Sequence, residues 1–520
     1  MMQFRSSTFV AFFVSKLAFA LACLGSSNPD FVSRLPGFNQ PLPSPWYSGF
    51  VEYELEGRTV HTHYVLVEAE EDFHKNKPLI YWSNGGPGAS SLFGLLTELG
   101  PLLFSDESLH TAEYEATGIP TPIYNPCAWT RLGHVLIIDQ PAPVGFSYCN
   151  EDVDSHSCAG LAWTDELAAE NAHLALLAFH EKFPCYGTNE LYLTGESYAG
   201  IYIPTLARRI LEDPENHIPL KGLAVGDGCL GTETSICGDL SNPDAIDIWN
   251  ILFLAGHGQM PMATFQEVMH ACRPHKHPLS PQSASSADDF SSNEENYRFL
   301  KDSDICQAAL AKVDRQVGGY YGYSLYDECT YSGGLLGGAL NDYPCGGDAV
   351  MQHYLSLPVV KEALHVTNAT FFSVDNADGD FDYTPTEPDL SGFYRSINGK
   401  IRVLVYNGDT DPAITSFAAQ NWTTHLHFTE TQEWRPWTVD GCRRMGGYVT
   451  RYDGDFDFLT IRGAGHMVPT YKAAATFTFM RAWIEDKDYP AFSKDCEAPN
   501  AVNVLQDATQ VQVEEHRHLR

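Results

Sequence analysis

Residues 193–200, Leu-Thr-Gly-Glu-Ser-Tyr-Ala-Gly, constrain this chain's fold more than any other stretch. Residues 191–193 read as the end of a buried β-strand, and a helix-compatible run follows at 206–211. A serine at the tip of a tight strand-to-helix turn has its hydroxyl pushed into the open. Small residues two before and two after it, here Gly195 and Ala199, let the backbone pass close by. Plain strand-to-helix connections also use glycine and serine, so the elbow gains weight only from what surrounds it.

The surrounding pattern supports a layered α/β fold. Alternating apolar and polar positions over 47–67 suit antiparallel strands. Buried-strand signals recur at 78–82, 134–139, 191–194, 223–225, 402–406 and 458–461. Residues 163–183 read as a helix: Thr164 can cap it, Leu167, Leu174, Leu177 and Phe179 are its expected inward face, and Pro184 stops it. Strands alternating with helices predict an α/β fold with a mainly parallel central sheet flanked by helices. The sheet pattern is expected over 30–228 and again over 351–496. Between them, 229–350 reads as a cap insertion over the sheet, bearing cysteines and holding a polar loop at 278–296. The segment 497–520 reads as a disordered tail. No internal repeat is present.

At 520 residues and 44% hydrophobic content the chain can bury a large core. Its formal charge of −34 argues against nucleic acid, whose phosphates it would repel. Residues 1–22 look like a secretory signal, with Arg5 ahead of an apolar run and an Ala20-Leu-Ala22 cleavage site; a hydrophobic first helix is the other reading. No later stretch has the ~18 apolar residues of a membrane span. Thirteen cysteines, twelve beyond Cys23, can pair fully in an oxidising compartment. None forms a C-x-x-C pair, so no metal is expected, and no cofactor motif is present. Asn368 and Asn421 head glycosylation sequons.

Three strand-end turns carry chemistry: Ser197, Asp411 and His466. Open α/β sheets place active sites beyond the C-terminal ends of parallel strands. The order Ser, Asp, His is that of the α/β-hydrolase fold. There the imidazole takes the serine proton as the hydroxyl attacks a carbonyl, and the carboxylate fixes the ring's tautomer. Most of the 20 histidines must have other duties; His466 stands out for Gly463-Ala-Gly465 before it and Pro469 after it. Asp411 competes with Asp409, and its place beyond the strand end favours it. An oxyanion needs amide donors, for which Tyr198 and Gly86, in the glycine loop 85–88, are the candidates. No lysine follows that loop in a phosphate-binding arrangement.

With these residues in place the chain resembles the serine carboxypeptidase family over nearly its whole mature length. The resemblance is carried by Leu35-Pro-Gly37, Tyr47-Ser-Gly49, Trp82-Ser-Asn-Gly-Gly-Pro-Gly88, Glu98-Leu-Gly-Pro101, Asp139-Gln-Pro-Ala-Pro-Val-Gly-Phe-Ser-Tyr148, Gly195-Glu-Ser-Tyr-Ala-Gly200, Gly408-Asp-Thr-Asp411 and Gly465-His-Met-Val-Pro469. It implies an α/β-hydrolase fold with a helical, disulfide-bearing cap insertion. It also implies that the second aspartate of the Gly-Asp-x-Asp turn, Asp411, is catalytic. The implied substrate is the C-terminus of a peptide or protein, its carboxylate held by Asn84, Glu98 and Glu196 beside Trp82. Buried carboxyls facing a third cannot all ionise, so peptidase activity is expected to be greatest in acid.

Two departures stand against the family pattern. Position 89 is Ala where the family has cysteine, and no cysteine lies between Cys345 and Cys442 where its partner is expected. The resemblance leaves room for an acyltransferase of the same fold, although such relatives tend to change the residues matching Asn84 and Glu196. It also leaves room for a protective or binding protein. A monomer or homodimer of the secretory pathway, secreted or lysosomal/vacuolar, is expected in each case.

Overall fold

The computed structural model describes residues 27–496 apart from 71–76, 150–157, 159–160, 216, 235, 238–247, 273–303, 328–344, 368 and 373–380. The expected signal at 1–22, the polar loop at 278–296, the tail at 497–520 and Asn368 therefore lie outside the described residues.

Eleven strands form the path of a twelve-stranded sheet. They are β1 (Phe31–Val32), β2 (Trp46–Leu55), β3 (Arg58–Val67), β4 (Leu79–Ser83), β5 (His134–Ile138), β6 (Leu191–Glu196), β7 (Leu220–Gly226), β8 (Arg402–Gly408), β9 (Glu430–Thr438), β10 (Met445–Tyr452) and β11 (Phe456–Ile461). Their order across the sheet is β1-β2-β3-β5-β4-β6-β7-β8-β11-β10-β9, and the short strand Tyr148–Cys149 pairs with β3. The run β5-β4-β6-β7-β8-β11 is parallel throughout. Antiparallel pairs close both flanks.

Central strands buried on both faces need two apolar sets of side chains, because successive residues point to opposite faces. Leu79 and Tyr81 of β4 join one core and Ile80 and Trp82 the other; Val403 and Val405 of β8 divide from Leu404 and Tyr406 in the same way. The first core holds helices α1 (Asp165–Lys182) and α2 (Ala199–Glu212); the second holds residues from Ala473–Ile484.

Helix α1 is capped as expected, with Thr164 Oγ1 accepting the Leu167 amide at 3.2 Å. Its inward face differs from the expected one. Ala168, Ala169, Ala172, Ala175, Leu176 and Phe179 are buried, Leu167 and Leu174 pack at the margin, and Leu177 is exposed. Small residues on the buried stripe let α1 lie close to its neighbours. The leucines shield its edges.

Between β7 and β8 the chain leaves the sheet and forms helices α3 (Ile248–Gly256), α4 (Met262–Ala271) and α5 (Asp304–Val317). A disulfide from Cys272 to Cys306 ties the end of α4 to α5. Further disulfides join Cys149 to Cys158, Cys229 to Cys237 and Cys442 to Cys496, and Cys345 is also disulfide-bonded. Full pairing of the twelve cysteines fails, because Cys127 and Cys185 are thiols. Among the described residues no helix is long and apolar enough to cross a membrane, and no cluster of ligands suited to a metal ion occurs. Asn421 lies half-buried on the helix Ser416–Thr424.

Candidate active site

Ser197 sits where β6 gives way to α2, with φ at 62°, a left-handed conformation that non-glycine residues seldom adopt. Backbone bonds hold it there. Its amide donates to the Gly226 carbonyl at 3.0 Å, and its own carbonyl accepts from the amides of Gly200 (2.9 Å) and Cys229 (3.0 Å). A Cβ on Gly195 would lie 2.6 Å from the Ser83 carbonyl oxygen, so the strand before the elbow tolerates only glycine. The Tyr198 hydroxyl donates to Asp165 Oδ1 at 2.6 Å, while Asp165 Oδ2 accepts the Thr386 and Glu387 amides.

Strand ends β8 and β11 bring the other two turns alongside. His466 Nδ1 lies 2.7 Å from Asp411 Oδ2, with both residues buried. Asp411 also accepts the amides of Ala413 (2.8 Å) and Ile414 (3.2 Å). Asp409 is directed elsewhere and accepts the Gly463 amide at 2.6 Å. The other imidazole nitrogen, Nε2, has no hydrogen-bond partner among the described residues, and His466 and Ser197 line one cavity of about 1310 Å³. Catalytic hydrogen bonds are often longer in ligand-free enzymes and tighten around substrate.

The glycine loop borders the elbow directly. A Cβ on Gly85 would stand 2.3 Å from the Tyr198 amide nitrogen and 2.9 Å from Ser197 Cβ. Any side chain at 85 would thus occupy the space where an oxygen could meet that amide. Gly86, the next residue, lines the cavity.

Asn84, Glu98 and Glu196 meet in the same cavity. Asn84 Oδ1 accepts the Trp82 indole N–H (2.8 Å) and the Gly94 amide (3.0 Å). That fixes the amide's orientation, because the oxygen faces two donors and the NH₂ must face acceptors. Asn84 Nδ2 accordingly donates to Glu98 Oε1 (3.1 Å) and Glu196 Oε1 (3.0 Å). Trp82 is fully buried against Trp129, so it orients Asn84 without lining the cavity. Glu98 and Glu196 lie near enough to share a proton, and two buried carboxyls side by side cannot both ionise. Burial pushes Glu98 up to about 7. Burial and the neighbouring Glu98 charge raise Glu196 well above its usual range.

Residues 36–486 match the serine carboxypeptidase family. The chain belongs to that family. It is a serine-type carboxypeptidase, a hydrolase. It is 31% identical over 504 residues to the lysosomal protective protein of Mus musculus, covering 88% of this chain and 94% of the relative. A serine carboxypeptidase of Caenorhabditis elegans is 29% identical over 508 residues, covering 92% and 97%. A prohormone-processing carboxypeptidase of Saccharomyces cerevisiae shares the fold with a TM-score of 0.62 at 20% identity, covering 89% of this chain and 97% of that one.

Three residues near the turns had no signal in the sequence motifs. Asp165 anchors Tyr198 and hides among the acids that open any helix. Tyr323 stacks on the His466 ring at 4.8 Å and accepts the His466 amide at 2.7 Å. Asp227 lies fully buried beside Asp411.

Proposed function

We propose that this carboxypeptidase releases C-terminal amino acids from peptides and proteins through an acyl-enzyme on Ser197, and does so best in acid. The observation that carries the reading is Asn84 bridging Glu98 and Glu196 in the cavity shared by Ser197 and His466. Protonated carboxyls there donate to a terminal carboxylate, which a second ionised carboxylate would repel. In the acylation step His466 Nε2 takes the Ser197 proton as the oxygen attacks the scissile carbonyl. Asp411 holds Nδ1–H and stabilises the imidazolium. The amides of Tyr198 and Gly86 receive the oxyanion. His466 then protonates the leaving amine, and water, deprotonated by the same imidazole, attacks the acyl ester.

The retained Asn84 and Glu196 favour hydrolysis of peptides over acyl transfer to an alcohol. Disulfides fit maturation in the secretory pathway, with secretion or an acidic organelle as the destination. The deciding experiment incubates a peptide and its C-terminal amide with wild type and Ser197→Ala across about pH 4 to 8, reading products by mass. Release from the free peptide is expected to fade as pH rises through about 7, while hydrolysis of the amide persists. Ser197→Ala is expected to lose about a million-fold in kcat. Equal pH profiles for the two substrates would refute the carboxylate clamp, and an active Ser197→Ala would refute the acyl-enzyme.

A further inference from the structure

Asp227 follows β7 with φ at 43° and none of its surface exposed. Its amide donates to the Tyr406 carbonyl at 2.9 Å. Its carboxyl reaches across to the strand that carries Asp411: Oδ1 accepts Asn407 Nδ2 (3.1 Å) and the Gly408 amide (3.0 Å), and Oδ2 lies 3.2 Å from the same amide. Asp411 is the acid that acts on it most strongly, near enough for the two carboxyls to share a hydrogen bond. Two carboxyls can share a hydrogen bond only if one keeps a proton.

Geometry decides which one. Asp411 already accepts from Ala413, Ile414 and His466 Nδ1, a set of donors that suits an anion. The titratable groups facing Asp227 are Asp411, Glu196 at the end of β6 and Tyr406 on β8, all of them acids. A negative charge at 227 would therefore stand beside the Asp411 anion, with no cation among the described residues to offset it. We propose that Asp227 is a positioning residue that keeps its proton, donates it to Asp411, and fixes that carboxylate as the anion facing His466. Burial and the Asp411 charge act in the same sense, raising the Asp227 carboxyl well above its ordinary 3.8. The inference rests on the reading of Asp411 as the partner of His466 in catalysis.

The sign of one pH shift tests it. Removing a neutral donor leaves the Asp411 charge less compensated, so the imidazolium is stabilised and the acid limb moves to higher pH. Removing an anion would weaken the field at His466 and move the limb down. The assay is hydrolysis of an N-acyl amino-acid ester, which avoids the Glu98–Glu196 clamp. Rates are expressed per Ser197 labelled by a fluorophosphonate, so that only folded enzyme counts.

For Asp227→Leu we expect kcat to fall about tenfold with KM unchanged, and the acid limb of kcat to rise by about half a pH unit. Asp227→Asn, which can still donate to Asp411 and accept from Gly408, is expected to restore both. A limb that falls or stays fixed in Asp227→Leu, or an Asn variant that fails to rescue, overturns the proposal. Should Asp227→Leu not fold, a lowered limb in Asp227→Asn overturns it and a wild-type limb supports it. Loss of the catalytic reading itself would appear separately, as undiminished activity in Asp411→Ala.

Discussion

Besides the Ser197, Asp411 and His466 turns, the described residues hold a second serine–histidine–aspartate set, buried away from the cavity. In the second, His63 Nδ1 lies 3.1 Å from Asp139 Oδ2 and Nε2 lies 3.0 Å from Ser48 Oγ, with all three residues wholly buried. Ser48 donates its own proton to the Leu364 carbonyl at 2.7 Å, so it faces the imidazole as an acceptor. Asp139 further accepts the Ser90 hydroxyl (2.7 Å) and the Ser91 amide (3.0 Å). No substrate reaches this set, and its work is to satisfy polar groups between β2, β3 and β5. Breaking a buried pair leaves an uncompensated charge, so His63→Leu is expected to lower stability by about 3–5 kcal/mol. Urea unfolding measures that loss, while fluorophosphonate labelling of Ser197 per folded molecule is expected to stay at the wild-type level. Slowed labelling would show the two sets to be coupled. Residue types and spacing cannot separate the pair from the triad; exposure of the serine and an unpartnered Nε2 can.

At the scale of elements, the short segment 321–325 matters more than its length suggests. The Leu325 amide donates to the Thr410 carbonyl at 2.9 Å and the His466 amide to the Tyr323 carbonyl at 2.7 Å. One stretch of chain thus clasps the Asp411 turn and the His466 turn together, and the Tyr323 ring caps the imidazole. Tyr323→Ala keeps the backbone clasp and removes the cap. It is expected to lower kcat about tenfold, with the unfolding midpoint moving little because the side chain is nearly half exposed. A kcat equal to wild type would assign the ring no part in orienting His466. This segment was illegible in the sequence because its contacts are made by backbone atoms and by residues more than 80 positions away. The parallel strands were legible, since burial on both faces writes a continuous apolar run. β9 and β10 were not: β9 is an edge strand with mixed exposure, Pro436 within it and three shifts of register against its neighbour. Helix α1 was found, but its face was read from leucines when close packing had placed alanines inward.

For the molecule as a whole, the protons that serve the site also set the pH of greatest stability. Glu98 is raised from 4.5 to about 7, and Glu196 and Asp227 are raised in the same sense. Such groups bind protons more tightly folded than unfolded, so their contribution is present in acid and lost as pH rises, that of Glu98 through about 7. His134 opposes them, since burial pushes it down to about 4, and the stability it contributes fades as pH falls below 6.5. His173 and His180 are lowered with it, Asp409 and Asp457 are raised with the three acids, and the balance of five carboxyls over three histidines leaves a decline in stability toward neutrality. Self-repulsion of a chain with a formal charge of −34 adds to that decline. The two causes separate with salt: about 0.5 M sodium chloride screens surface repulsion and leaves the buried acids untouched. Glu98→Gln is therefore expected to recover about 2 kcal/mol of the loss between pH 5 and 7, read by urea unfolding in high salt. A decline that vanishes in salt with Glu98 intact would place the cause on the surface. A decline that persists in salt and shrinks in Glu98→Gln ties the carboxylate clamp and the stability of the fold to the same protons.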